Sequence, residues 1–288
     1  MTRILCVLLG MGMVGARAPL LIGQEAPEPP KLLLIIREDI KEGKGAAHEQ
    51  NEARFMRAAA AAKFPVNILG LQTITGTSQA WFLEPYDSFE SIGKSRAAMQ
   101  NPELGNIDAL DGEYRLGSRS WVAVYRPELS FHGQQLMQSL PKMRYFNIIT
   151  MRTRQEHDQD FVELGRMAVA AAERSMGDQP VATYQVVSGA ANGTYLLFEP
   201  SESLKALDEA PERSHNRFQA MGDAGAKRFM KMAGETIAQQ EALLFALDPK
   251  MSYVSREIIA ADPAFWNPHR EEPGEPAKDA KPTGKGSR

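Results

Sequence analysis

The sequence predicts an α+β protein in which two tandem β-α-β-β-α-β repeats pair as an intramolecular pseudo-dimer around a barrel-like core. Three observations carry this expectation. Glu84-Pro85 in FLEPYDSFESI returns as Glu199-Pro200 in LLFEPSESLKAL, 115 residues later. The same offset relates Pro65-Val66 to Pro180-Val181, Ser88 to Ser203, Phe89 to Leu204 and Arg37 to Arg152, and a fixed period marks a repeated architecture. Both copies then present the same order of strand-like and helix-like segments. Finally, VNILGLQTI and TYLLF are apolar on both sides of the pleat, so each sheet needs a cover on both faces. The sheet of the other copy is the simplest second cover, which leaves the helices outside.

The elements follow in order. Thr2-Arg3 and the weakly polar-to-apolar run Ile4–Gly15 read as a secretory leader, too short for the roughly 20 apolar residues of a bilayer span. Cleavage after Ala16 is preferred to Ala16-Arg17-Ala18, because Pro19 would follow that second cut directly. An uncleaved anchor or a buried first strand is the alternative. The expected destination is therefore the periplasm or the medium. Residues 17–30 hold the Pro-rich spacer QEAPEPP, expected to be extended. Repeat 1 is expected over 31–130, a connector over 131–143, repeat 2 over 144–262 and a Pro-rich, disordered tail over 263–288.

Leu32–Glu38 and Tyr145–Arg152 are the first strands. Turns KEGKG and RQEHD lead into helices whose faces carry Phe55, Ala59 and Ala62, or Phe161, Leu164, Ala168 and Ala171. Val66–Thr75 with Ser78–Leu83, and Val181–Ser188 with Thr194–Phe198, read as hairpins turning at GT and ANG. Asp87 with Glu90 suggests a capping box for the second helix. Trp121–Tyr125 and Tyr253–Ile258 are the expected closing strands.

Composition narrows the function. Thirty-three basic and 36 acidic residues give −3, so no basic field favours nucleic acid. Mean hydropathy of −0.34 argues against a multi-span membrane protein. The one cysteine, Cys6, lies in the leader, which excludes a disulfide framework, a Cys-rich metal site and a cysteine nucleophile. No G-x-S-x-G elbow, P-loop, dinucleotide fingerprint or EF-hand loop occurs. The 14 methionines are scattered and read as gap-filling core.

The nearest approach to a motif is His48-Glu49-Gln50-Asn51-Glu52. A zincin helix needs a second His where Glu52 stands, so these residues offer one edge of a metal site without a third ligand, and no metal site is expected. Solvent exposure of His48 on an acidic first turn is the plainer reading. His157, beside Asp158 and Asp160, suits a general base if buried and a polar cap if solvated. His132 falls in the connector, His269 in the tail, and His215 could reach haem from a helix only by analogy. Trp81, Tyr86, Tyr125, Tyr184 and Tyr195 come from strands or their ends and could line a cavity or fill a core. Arg37 and Arg152, at one repeat position, could meet an anion or pair with a carboxylate such as Glu38, the latter being preferred. The candidate ligand-binding set is thus His48, Glu52, Trp81, Tyr125, His157 and Tyr184.

IREDIKEGKGAAHEQNEARF with AWFLEPYDSFESI, and ITMRTRQEHDQDFVELG with YLLFEPSESLKAL, give the chain its family likeness. It resembles the dimeric α/β-barrel superfamily of ferredoxin-like repeats, in its antibiotic-biosynthesis-monooxygenase-like and NIPSNAP-like branches, over roughly residues 31–260. The resemblance implies the barrel fold but no single activity, since its members include cofactor-free oxygenases, haem-degrading enzymes, haem peroxidase relatives and isomerases. No catalytic set transfers residue by residue. The leading expectation is an exported small-ligand-binding or interaction protein with no evident cofactor. A cofactor-free or haem-linked oxygenase and a structural assembly protein are the alternatives. The expected partners are a small molecule, the chain's own second repeat and further copies. An enzyme should show a buried His or Tyr beside a carboxylate, a binding module an apolar pocket without that pair, and an assembly protein a filled barrel with an apolar stripe on its outer helices.

Overall fold

The computed structural model describes residues 27–175 and 179–267. The expected leader, most of the spacer and the tail from residue 268 lie outside the described residues.

Repeat 1 comprises β1 (Leu32–Ile40), α1 (Gly45–Ala61), β2 (Leu69–Thr73), β3 (Gln79–Tyr86), α2 (Phe89–Ala98), α3 (Pro102–Asp111) and β4 (Arg115–Tyr125). A connector containing the 3-10 turn Pro127–Leu129 and the short helix α4 (Gly133–Ser139) leads to repeat 2. That repeat comprises β5 (Tyr145–Thr153), α5 (Asp158–Ala172), β6 (Ala182–Ser188), β7 (Thr194–Ser201), α6 (Ala210–Thr236) and β8 (Ile237–Leu247). Two short helices, α7 (Arg256–Ala261) and α8 (Pro263–Trp266), end the described chain.

The eight strands close into an antiparallel barrel in the order β1-β3-β2-β8-β5-β7-β6-β4. Each repeat supplies four neighbouring strands, and two seams join them: β2 to β8 through Leu71–Leu247, and β4 to β6 through Ala123–Val186. Closure leaves no strand edge unpaired. Strand alternation sends Leu33, Ile35, Trp81 and Leu83 inward to meet Phe146, Ile148, Leu196, Phe198 and Phe245 of the other half. The fold is therefore the expected one, with the two sheets covering each other and the helices outside.

One end of the barrel is covered. Leu136 of α4, Ile258 of α7 and Trp266 of α8 join the interior cluster, and the Trp266 indole donates to the Pro141 carbonyl at 2.7 Å. The chain before α7 crosses so close to β2 that a Cβ at Gly70 would stand 2.2 Å from the Met251 carbonyl oxygen. Outside repeat 1, α1 and α3 bury Phe55, Ala59, Leu104 and Ile107 on Phe82 and Ile40, each large side chain contributing about 1.5–3 kcal/mol.

Several expectations need correction. The last strand of repeat 2 is Ile237–Leu247, whereas Tyr253 makes only an isolated bridge to Ile68 and the residues after it turn into α7. The second helix is capped by Ser88, with Ser91 reciprocating, rather than by Asp87 and Glu90. The repeat offset is also not constant. Leu32 faces Tyr86 as Tyr145 faces Ser201, so β1 and β5 differ by 113 residues while β3 and β7 differ by 115. The extra two residues lie in the second hairpin turn. Arg37 thus corresponds to Thr150, Arg152 to Asp39, and Ile68 to Val181.

Candidate functional site

The site lies between the outer face of the repeat-1 sheet and the helices that cover it. Glu38 is one of the outward residues of β1. His48 and Glu52, one turn apart on α1, face down onto it. Asp111 is the last residue of α3, and Arg115 opens β4. Glu38, His48 and Asp111 are at most 3% exposed and Glu52 is 8% exposed. The exposed first-turn reading of His48 is therefore wrong: the helix turns it onto the sheet.

His48 Nε2 lies 2.8 Å from Glu38 Oε2 and 3.6 Å from Asp111 Oδ2. Arg115 pairs with the other Glu38 oxygen, and stands 3.3 Å from Asp111 and 3.2 Å from Asp108. Asn51 donates to Asp111 Oδ1 at 3.2 Å and to the Ile107 carbonyl at 3.1 Å. Asp111 Oδ2 has no hydrogen-bond partner, and Glu52 makes neither a hydrogen bond nor an ion pair among the described residues. One donor atom each from Glu38, His48, Glu52 and Asp111 lie within 4.8 Å of one another.

Burial raises the Glu52 carboxyl well above its ordinary value, and the charges of Glu38 and Asp111 push it further. Asp111 is raised too, by burial first and by Glu38, against the pull of His48, Asn51 and Arg115. Three carboxyls and one guanidinium leave two formal negative charges in a dry layer. Such an excess is met by protons or by a cation. Hard oxygen donors with one imidazole suit a divalent ion, whose bonds of roughly 2.0–2.2 Å need donors about 3–4 Å apart.

The cluster opens into a cavity of about 460 Å³. Glu38, Glu52 and Arg115 stand at its polar end, and Phe55, Met56, Phe64 and Phe82 form apolar wall. Farther along, the Tyr86 hydroxyl donates to Glu84 at 2.6 Å and lies 2.5 Å from the Ser95 hydroxyl. Burial raises both the Glu84 carboxyl and the Tyr86 phenol.

The six residues singled out from the sequence fall in different places. His48 and Glu52 join here. Trp81, Tyr125 and Tyr184 face the barrel interior, Trp81 donating to Gln79 at 2.9 Å and Tyr184 to the Pro30 carbonyl at 3.0 Å. The Tyr125 and Tyr184 rings are 5.4 Å apart near the covered end. His157 is half-exposed at the start of α5, 2.6 Å from Asp160. Of the remaining aromatics, Tyr195 faces outward under Phe161. Glu38, Asp111 and Arg115 were missed. Adjacent charges in the strand LLLIIREDI were the available signal, because a strand buried on both faces has no solvent side for Arg37 or Glu38.

Haem would need an axial donor facing an open cavity. His48 is enclosed between Glu38 and Asp111, His132 stacks on Phe131 in the connector, and His157 and His215 are at the surface. The described histidines do not fit that role.

No protein-family model and no curated protein matches the chain. Solved structures do. An anthrone oxidase-like protein is similar at a TM-score of 0.50 and 10% identity, over 75% of this chain and 91% of that one. A monooxygenase candidate from Lactobacillus acidophilus has a TM-score of 0.48 and 8% identity, over 76% and 94%. A chlorite dismutase variant from Candidatus Nitrospira defluvii has 0.45 and 11%, over 81% and 95%. The shared fold is the closed eight-stranded α/β barrel, here with both four-stranded halves in one chain. Likeness at this identity speaks for the fold alone.

Proposed function

We propose that the protein binds a small, largely apolar molecule in the repeat-1 cavity, and that Glu38, His48, Glu52 and Asp111 hold a divalent cation that meets the molecule's polar group. One observation carries this reading: Glu52 is more than nine-tenths buried, unpartnered, and beside two other carboxyls. A solely structural layer has no use for such a group, which costs several kcal/mol to leave charged and unpaired. Isothermal titration of the metal-stripped chain with Mn²⁺ tests it. Stoichiometric binding that Glu52→Gln removes is expected; no binding by the wild-type chain at pH 8 sinks the idea.

A second reading, the oxygenase-type enzyme, uses the same cavity and rests on its buried pairs His48–Glu38 and Tyr86–Glu84. Such pairs hold and move protons. The assembly alternative has less support. Among the large apolar side chains exposed on described residues, only Phe89 and Met230 belong to α-helices, one in each repeat, with Leu204 on a 3-10 turn.

Export is part of the proposal, on the strength of the run Ile4–Gly15 behind Arg3. N-terminal sequencing of the secreted product should begin at Arg17. A product that retains Met1 in the cytoplasm would remove export from the reading.

A further inference from the structure

The open end of the barrel has a chemistry that the repeat-1 cavity does not use. Arg37 points inward from β1 and is 8% exposed. Its guanidinium carbon lies 4.3 Å from the Trp81 ring centre and 4.2 Å from that of Trp121. The sequence favoured pairing with a carboxylate, yet Arg37 makes no hydrogen bond or ion pair among the described residues, and its Nε is buried without an acceptor. Asp39, two residues on, is already held by Arg119 and Gln79, each at 2.9 Å. Burial, with the Arg119 charge second, lowers the Arg37 pKa to about 10. A guanidinium so desolvated lacks the anion that its five donors are shaped to meet.

Trp121, on which Arg37 stacks, also lines a cavity of about 290 Å³ together with Arg119, Thr150, Arg152 and Glu241 among others. Arg119, Arg152 and Glu241 line it, with Arg37 and Asp39 beside them, and together the five groups leave one net positive charge. That balance fits a monoanion. A phosphate carries about −1.5 to −2 at neutral pH and would overdraw it beside Glu241. The indole of Trp121 offers a flat apolar wall.

We propose that this end of the barrel binds a planar organic monocarboxylate, its carboxylate on Arg37, Arg152 at the rim and its body against Trp121. The site is independent of the repeat-1 cavity and needs no metal.

Tryptophan fluorescence of the full chain, titrated with benzoate, tests it. The chain holds three tryptophans, and Trp266→Phe removes the one at the covered end, so the remaining signal comes from the barrel. A saturable change with a Kd below about 1 mM is expected. Arg37→Gln should remove it, and Arg152→Ala, an exposed change that leaves folding intact, should weaken it about three- to tenfold. Inorganic phosphate should compete at least about tenfold more weakly than benzoate. No saturable change up to about 10 mM benzoate overturns the proposal. So does an Arg152→Ala titration indistinguishable from wild type, or phosphate binding as tightly as benzoate.

Discussion

The two repeats build the same layer from opposite materials. Glu38, His48 and Glu52 of repeat 1 correspond, 113 residues on, to Met151, Phe161 and Gly165 of repeat 2. Asn51 corresponds to Leu164. Where His48 meets Glu38, Phe161 stacks on Tyr195 at 4.1 Å, with Met151 and Ile237 packed alongside. Where Glu52 projects, Gly165 leaves a notch that the Leu129 side chain fills. The fold therefore closes this layer with apolar side chains. The charges in repeat 1 are not what the architecture demands, and their retention at a cost in desolvation is what marks the site.

The comparison can be broken most sharply in repeat 2. Phe161→His places repeat 1's imidazole against Met151 instead of a glutamate, and should cost about 3 kcal/mol through lost packing and an unpaired buried polar group. Denaturant unfolding measures it; near-native stability would mean that either repeat tolerates polar groups there, and the contrast would lose its meaning. In repeat 1 the opposite sign is expected. Glu52→Gln removes a raised, unpartnered carboxyl and should stabilise the metal-free chain by about 1–2 kcal/mol at pH 8, while abolishing Mn²⁺ binding.

The pH dependence follows from the same groups. Glu52 and Asp111 are raised from ordinary values of 4.5 and 3.8, so between those values and the raised ones the folded chain binds more protons than the unfolded chain. Stability then falls as pH rises through that window. The metal-free chain should lose about 2–4 °C of melting temperature per kcal/mol over it. Saturating Mn²⁺ should flatten the slope, and Glu52→Gln should lessen it. A metal-free profile already flat above the ordinary carboxylate range would show that these groups are not titrating there. The smallest effect belongs to Gly165→Ala. The new Cβ would meet the tip of Leu129 at 2.6 Å, a flexible neighbour, so the expected loss is about 1 kcal/mol. A much larger loss in thermal unfolding would show that the Leu129 contact is rigid.

The doubled architecture was legible because strand and helix periodicity are local, and because Glu-Pro and the Ser caps, Ser88 and Ser203, recur at the same places in both copies. The single offset of 115 failed at the hairpin turns, where two added residues change the count without disturbing either strand. The last strand was misplaced for a different reason. IAQQEALLFAL is rich in residues that favour helix, and it runs straight on from α6; pairing with β2 and β5 overrides that preference. Half of the site was legible as His48 and Glu52, at one-turn spacing. Glu38 and Asp111 were not, because they lie 73 residues apart and meet only through the docking of α3 over β1. The burial of Arg37 between Trp81 and Trp121 likewise depends on register across three strands.

The connector has a counterpart after β8: Phe131 bridges Val181 as Tyr253 bridges Ile68, and Ser130 accepts from the Thr183 amide as Ser252 accepts from that of Gly70. Leu129 reaches the notch at Gly165 from its first turn, and Thr183 donates to the Leu129 carbonyl at 2.7 Å. In a barrel assembled from two identical subunits every substitution is written twice. Fusion lets two copies of one segment diverge: Leu129 fills the notch at Gly165, whereas Met251, at the equivalent place, packs with Phe55 and Phe82 and leaves Glu52 facing a hollow.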